Sequence, residues 1–172
     1  RLNGSPYLPR IVHGHHNKFH AVASGGSFAA AITMDHKIVL WGKTDTSVNA
    51  PALSQASTLE NVKSIKAGRH FLLVLLQDGT VHGFGDNTYH QLGPSGGHID
   101  VGGVASDISA GHYHSLFKVD QRMKTCGRNN RGQLVRGTNV EMGCVTAAEM
   151  GANLPSVNIG DHIDSTGAVV GD

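Results

Sequence analysis

Histidines, a lone cysteine pair and a glycine-flanked serine are the residues of this 172-residue chain whose types and spacing could do chemistry. His13, His15 and His16 sit together, and His112 and His114 share one strand face at spacing two. A zinc ion needs three or four ligands in fixed geometry, and no cysteine pair lies near either cluster, so neither reads as a metal site. Gly93-Pro94-Ser95-Gly96-Gly97 fits the Gly-x-Ser-x-Gly nucleophile pattern. That mechanism requires a strand-to-helix elbow, whereas more glycine follows here, and the stretch reads as a turn. No phosphate-binding glycine-rich loop with a following Lys-Ser or Lys-Thr appears. The expectation is therefore a protein that is not an enzyme, with no catalytic residue, no cofactor and no metal.

The other chemistry-bearing features concern charge and redox state. Arg122, Lys124, Arg128, Arg131 and Arg136 fall in a window, residues 121–140, that holds no acidic side chain. Arranged along one rim, they would meet an anionic partner: nucleic acid, an acidic protein patch or lipid head groups. Scattered over loops, they are an ordinary solvated set. The whole chain balances 14 basic against 13 acidic residues for a formal net charge of +1, so a global nucleic-acid footprint is absent and that partner is not favoured. Cys126 and Cys144 are too few to staple a small secreted fold, which points to reduced thiols in an intracellular compartment. Asn3-Gly4-Ser5 reads as a chance sequon. The longest apolar run, residues 71–76, is far short of a membrane span, so no membrane insertion is expected. The opening Arg1, in place of Met, reads as a segment of a longer polypeptide, and no signal-peptide pattern opens it.

Charged residues make up only 16% of the chain and glycine counts 23, a profile of short strands and tight turns rather than of a helical bundle. Three segments align: residues 23–42, 66–85 and 109–127. Their leading glycines, Gly25, Gly68 and Gly111, are separated by two equal intervals of 43 residues. Asp35 aligns with Asp78, and Trp41-Gly42 with Phe84-Gly85. Each copy predicts a small-residue turn and then an apolar strand, over 28–32, 71–76 and 115–119. A polar turn follows, strongest at Asp78-Gly79, and a returning strand over 38–41, 80–84 and 123–126. Residues 72–76 are apolar without alternation, so they should be buried on both faces. A further strand class is read at 19–22 and 62–65. A repeat of about 40 to 50 residues with about four short strands is one propeller blade.

The segments VKSIKAGRHFLLVLLQDGTVHGFGDNTYHQLG and SDISAGHYHSLFKVDQRMKTCGRNNRGQL resemble regulator-of-chromosome-condensation repeats. The shared order is Ala-Gly, a nearby His, an apolar strand, Asp-Gly, aromatic-Gly, Asn, then Gln-Leu. The likeness covers most of residues 9–134, and residues 1–4 resemble the tail of a preceding repeat. Departures mark a diverged member. Ser27 and Phe28 stand where a His is usual, and residues 44–51 show no Gln-Leu. Cys126 replaces the aromatic and Val135 the final glycine. The resemblance implies an all-β partial propeller of about three to four blades, where the whole family ring has seven. The predicted units are 9–51, 52–93 and 94–136, with an extended loop at 137–160 and the start of another blade at 161–172. It also implies that His70 and His114 are structural, bonding neighbouring backbone.

Residues 149–155 resemble an extended loop of some diverged relatives, making Glu149, Met150, Asn153 and Leu154 a candidate interaction loop. The function implied is a non-enzymatic protein-interaction or scaffold module within a larger assembly, with protein partners. Guanine-nucleotide exchange on a small GTPase is the first alternative. Chromatin or RNA binding through a basic rim is the second.

Overall fold

The computed structural model describes residues 18–136 and 142–157, together with the backbone of 162–163 and 169–170. The sequon at 3–5, the histidines at 13, 15 and 16, and most of the segment read as a further blade lie outside the described residues. Three antiparallel meanders follow one another. The first joins β1 (Phe19–Ser24), β2 (Phe28–Thr33) and β3 (Ile38–Gly42). The second joins β4 (Val62–Ala67), β5 (Phe71–Leu76), β6 (Val81–Gly85) and β7 (Gly97–Ile99). The third joins β8 (Ala105–Ala110), β9 (His114–Val119), β10 (Arg122–Arg128) and β11 (Met142–Gly143). In chain order within each sheet, every strand pairs with the next, as in a propeller blade. The sheets are offset from the sequence-based units, since β7 and β11 lie past residues 93 and 136. A final short pair, β12 (His162–Ile163) with β13 (Val169–Val170), is also antiparallel.

The 43-residue spacing has a physical basis that repeats in each blade. The first strands β1, β4 and β8 all slip register by one residue, between Phe19 and Ala21, Val62 and Ser64, and Ala105 and Asp107. Such a bulge tightens strand twist at a fixed place in each blade. The N–H of Gly25, Gly68 and Gly111 donates to the carbonyl of Phe28, Phe71 and His114, each at 2.9 Å. The ring of that same residue covers its glycine, and a Cβ at any of the three would collide with it. At the same end of the blade, Lys43, Asp86 and Arg128 donate N–H to the carbonyls of Ser27, His70 and Tyr113, again each at 2.9 Å. The glycine before each donor has positive φ (Gly85 at 106°), a conformation that an L side chain would strain.

Blades stack through β5. Residues 71–75 are fully buried. Leu72 and Val74 join Phe28, Ala30 and Ile32 of the first blade, whereas Phe71, Leu73 and Leu75 join Phe117, Val119 and Ile108 of the third. The strand is thus buried on both faces, as its unbroken apolar run predicts. Each such side chain contributes roughly 1.5–3 kcal/mol of burial. Backbone bonds also cross between blades: Val62 N–H to His36 carbonyl and Ala105 N–H to Gly79 carbonyl, both at 3.0 Å.

One expectation is overturned. Cys126 and Cys144 are not free thiols but form a disulfide, with Cα atoms 5.4 Å apart. The staple does not have to hold a whole small fold. It ties the two-residue β11 to β10 beside the buried Met150. The cysteine count therefore no longer supports a reducing compartment.

Candidate interaction site

The Asn and Gln-Leu positions of the repeat shape the loops that follow β6 and β10. Asn87 Oδ1 accepts the N–H of Leu92 at 2.8 Å, and its Nδ2 donates to the Gly93 carbonyl at 2.8 Å. Gln91 Oε1 accepts the N–H of Tyr89 at 3.0 Å, and its Nε2 donates to the Asp86 carbonyl at 2.6 Å. In the third blade Asn129 accepts from Leu134 at 2.9 Å and Gln133 from Arg131 at 2.8 Å. Asn87 and Gln91 are fully buried, so their bonds are exchanged for no water and hold the loops firmly. Tyr89 and Arg131 are presented from loops pinned in this way.

These loops meet the short connections between the first and second strands, residues 68–70 and 111–113. Arg69 N–H donates to the His112 carbonyl at 3.4 Å, and Gly26 N–H to the Arg69 carbonyl at 2.6 Å, which threads the three connections together. Upon this frame sits a cluster of rings and cations. The Tyr89 and Tyr113 rings lie 4.9 Å apart, and His112 packs edge-on to Tyr113 at 4.4 Å. The Arg128 guanidinium lies 4.8 Å from the Tyr89 centroid and 5.9 Å from that of Tyr113. Arg69 lies 5.9 Å from the Tyr113 centroid and donates from Nη1 to the Tyr113 hydroxyl at 2.7 Å. Cation–π attraction draws Arg128 to the Tyr89 ring, and the hydroxyl bond holds Arg69 at the edge of Tyr113. Arg128 Nε is shielded from solvent and has no hydrogen-bond partner. Neither Arg69 nor Arg128 pairs with a carboxylate among the described residues, and the loop acid Asp86 accepts instead from the N–H and hydroxyl of Thr88. The site offers cationic, aromatic contact and no nucleophile–base pair.

The five cations expected along one rim are not brought together. Lys124 is buried, its Nζ donating to the carbonyls of Val101 at 2.8 Å and Gly151 at 3.2 Å. Arg136 donates to the Thr125 carbonyl at 2.7 Å, and burial pushes its guanidinium pKa down against the opposing pull of Glu149. Arg122 and Arg128 begin and end β10, roughly 20 Å apart at the usual rise of a strand. Arg128 alone enters the ring cluster, while Arg131 is exposed on the same loop. In the expected interaction loop, Met150 and Leu154 are core residues. Glu149 caps the N–H of Thr146 at 2.8 Å, and Asn153 donates to the Ala148 carbonyl at 3.1 Å. His114 is half-buried against Gly111, and among the described residues neither its ring nor that of His70 bonds to backbone. Among the described residues no histidine, cysteine and carboxylate group has metal-binding geometry.

Arg69, Tyr89 and Tyr113 carry no chemistry-bearing signal in the sequence, and His112 stands out there only beside His114. The usable signal was positional: Arg69 and His112 are equivalent one repeat apart, so their loops must share a face. Asp86 occupies in the second blade the place of Arg128 in the third, which confines the platform to one blade junction.

Residues 62–91 match the family described as the regulator of chromosome condensation (RCC1) repeat. No curated protein matches the chain in sequence. Among solved structures, yeast RCC1 (Prp20) bound to Kap60 matches at 18% identity over 72% of this chain and 35% of that one, with a TM-score of 0.58. Prp20p from Saccharomyces cerevisiae, reported with its binding to Gsp1p and histones, matches at 18% identity over 67% and 32%, with a TM-score of 0.56. Human WBSCR16 matches at 22% identity over 73% and 39%, with a TM-score of 0.59. The chain spans about a third of the length of these structures, and its fold is that of an RCC1-like propeller in part, with diverged repeats.

Proposed function

We propose that this diverged stretch of RCC1-like propeller is a non-enzymatic protein-interaction module, a scaffold that binds a protein partner through its loop face. The observation that carries the reading is the Arg69–Tyr89–Tyr113–Arg128 platform. Tyrosine and arginine are among the residue types enriched where binding energy concentrates at protein interfaces. Here Tyr89 is pre-positioned on a loop pinned by the buried Asn87 and Gln91, which lowers its ordering cost. Solved relatives of this fold carry protein partners: Kap60 in one structure, Gsp1p and histones in the description of another. The intracellular placement loses its cysteine argument. Among the described residues no helix is long and apolar enough to cross a membrane.

Guanine-nucleotide exchange on a small GTPase is the second reading, supported by the same fold. Exchange proceeds by loops displacing bound nucleotide, whereas the interaction reading requires binding without displacement. Fluorescent-nucleotide release from a panel of loaded small GTPases separates them. The scaffold reading predicts release at the spontaneous rate with the full chain present. Strong acceleration would replace it with exchange.

A further inference from the structure

We propose that the platform is a docking site for an extended acidic segment of a partner protein, read by Arg69 and Arg128 as a pair. The proposal rests on the interaction reading above and names the chemistry of the partner. Two guanidiniums flank one ring, each 5.9 Å from the Tyr113 centroid, so their carbons lie within twice that distance of each other. Among the described residues the ion pair found is Lys37–Glu60, in another part of the molecule, so neither arginine is neutralised there. Arg69 is tied to the Tyr113 hydroxyl at 2.7 Å and Arg128 sits 4.8 Å from the Tyr89 centroid, which leaves their other N–H groups able to donate to carboxylates. An extended chain rises about 3.3 Å per residue, so carboxylates two residues apart, on one face of the segment, lie about 6.6 Å apart, inside that limit on the arginine separation.

Single-stranded nucleic acid is the competing polyanion, and the geometry disfavours it. Base stacking needs an open aromatic face. The Tyr89 and Tyr113 rings instead pack against each other, 4.9 Å apart and tilted by 54°, with Arg128 close to both. A backbone-tracking groove also needs more cations than the two here, and Lys124 and Arg136 are spent on backbone carbonyls.

Fluorescence anisotropy of the full chain with a labelled peptide of alternating glutamate and serine tests the site, with the lysine–serine counterpart and a labelled oligothymidylate alongside. The expected result is binding of the acidic peptide alone, weakening with salt. Arg69→Gln and Arg128→Gln should each weaken it about tenfold, and Arg122→Gln, at the far end of β10, should leave it unchanged. Circular dichroism of each variant checks that the blades persist. Oligothymidylate bound as tightly as the peptide, peptide affinity unmoved in the Arg69→Gln/Arg128→Gln double variant, or no peptide binding at low salt would each overturn the proposal. Nucleotide release bears on the parent reading by itself. A chain that accelerates release and still binds the peptide loses the scaffold reading and keeps this site, and a chain that does neither keeps the former and loses the latter.

Discussion

His114 stands in the third blade where Phe28 and Phe71 stand in the first two, its ring lying on the leading glycine. The packing role is shared, but only histidine titrates. Burial pushes the His114 pKa below its ordinary 6.5, because a cation would lose hydration there. Burial likewise lowers His82, with the neighbouring His98 adding to the effect. The unfolded chain then takes up a proton before the folded chain does. The stability associated with neutral His114 is present above the unfolded value and is lost as pH falls through the folded one. His114→Phe, which restores the residue type of the other blades, should flatten the decline in melting temperature between about pH 7 and pH 5. A variant whose melting profile follows the parent throughout that range would remove His114 from the acid response. At this scale the sequence showed which positions recur but not why. Equal spacing picked out Gly25, Gly68 and Gly111, while the ring lying on each belongs to a residue that differs in chemistry between copies. Lys124 and Arg136 looked like surface cations because nothing local distinguishes them. Their burial comes from backbone carbonyls supplied by residues 101 and 151 for Lys124 and by residue 125 for Arg136.

The elements were legible in proportion to their length and apolar content. β2, β5, β9 and their returning strands follow from the runs and turns of the sequence, and the burial of β5 on both faces follows from its lack of alternation. β7 and β11, three and two residues long, carry no pattern of their own and exist through pairing with β6 and β10. The disulfide was misjudged for a related reason. Cysteine count speaks to compartment, whereas pairing depends on a strand too short to be read. Cys126 and Cys144 are 18 residues apart, and closing a loop of that size restricts the unfolded chain by about 3 kcal/mol. Reduction should therefore lower the unfolding free energy of the full chain by an amount of that order, read as a lower denaturant midpoint at unchanged slope. The Cys126→Ser/Cys144→Ser variant should start at the lower midpoint and ignore reductant. Equal midpoints for parent and variant under oxidising conditions would show that the bond does not stabilise the third blade.

In the whole molecule, three blades set side by side bring together loops that lie 43 residues apart in sequence, and the interaction face exists only as their sum. Tyr89 comes from one blade and Tyr113 and Arg128 from the next, so no single repeat contains the platform. That is why the sequence yielded the repeat and the fold but not the platform, which takes up Arg128 alone of the five cations: clustering along the chain is not clustering in space. Amide hydrogen exchange of the full chain, with and without saturating glutamate–serine peptide, tests the central claim most directly. The account predicts slowest exchange in residues 71–75 and, on adding peptide, new protection confined to residues 68–70, 86–90 and 111–113. Peptide-induced protection at the Arg122 end of β10, or around residues 149–154, with none at those three connections, would contradict it.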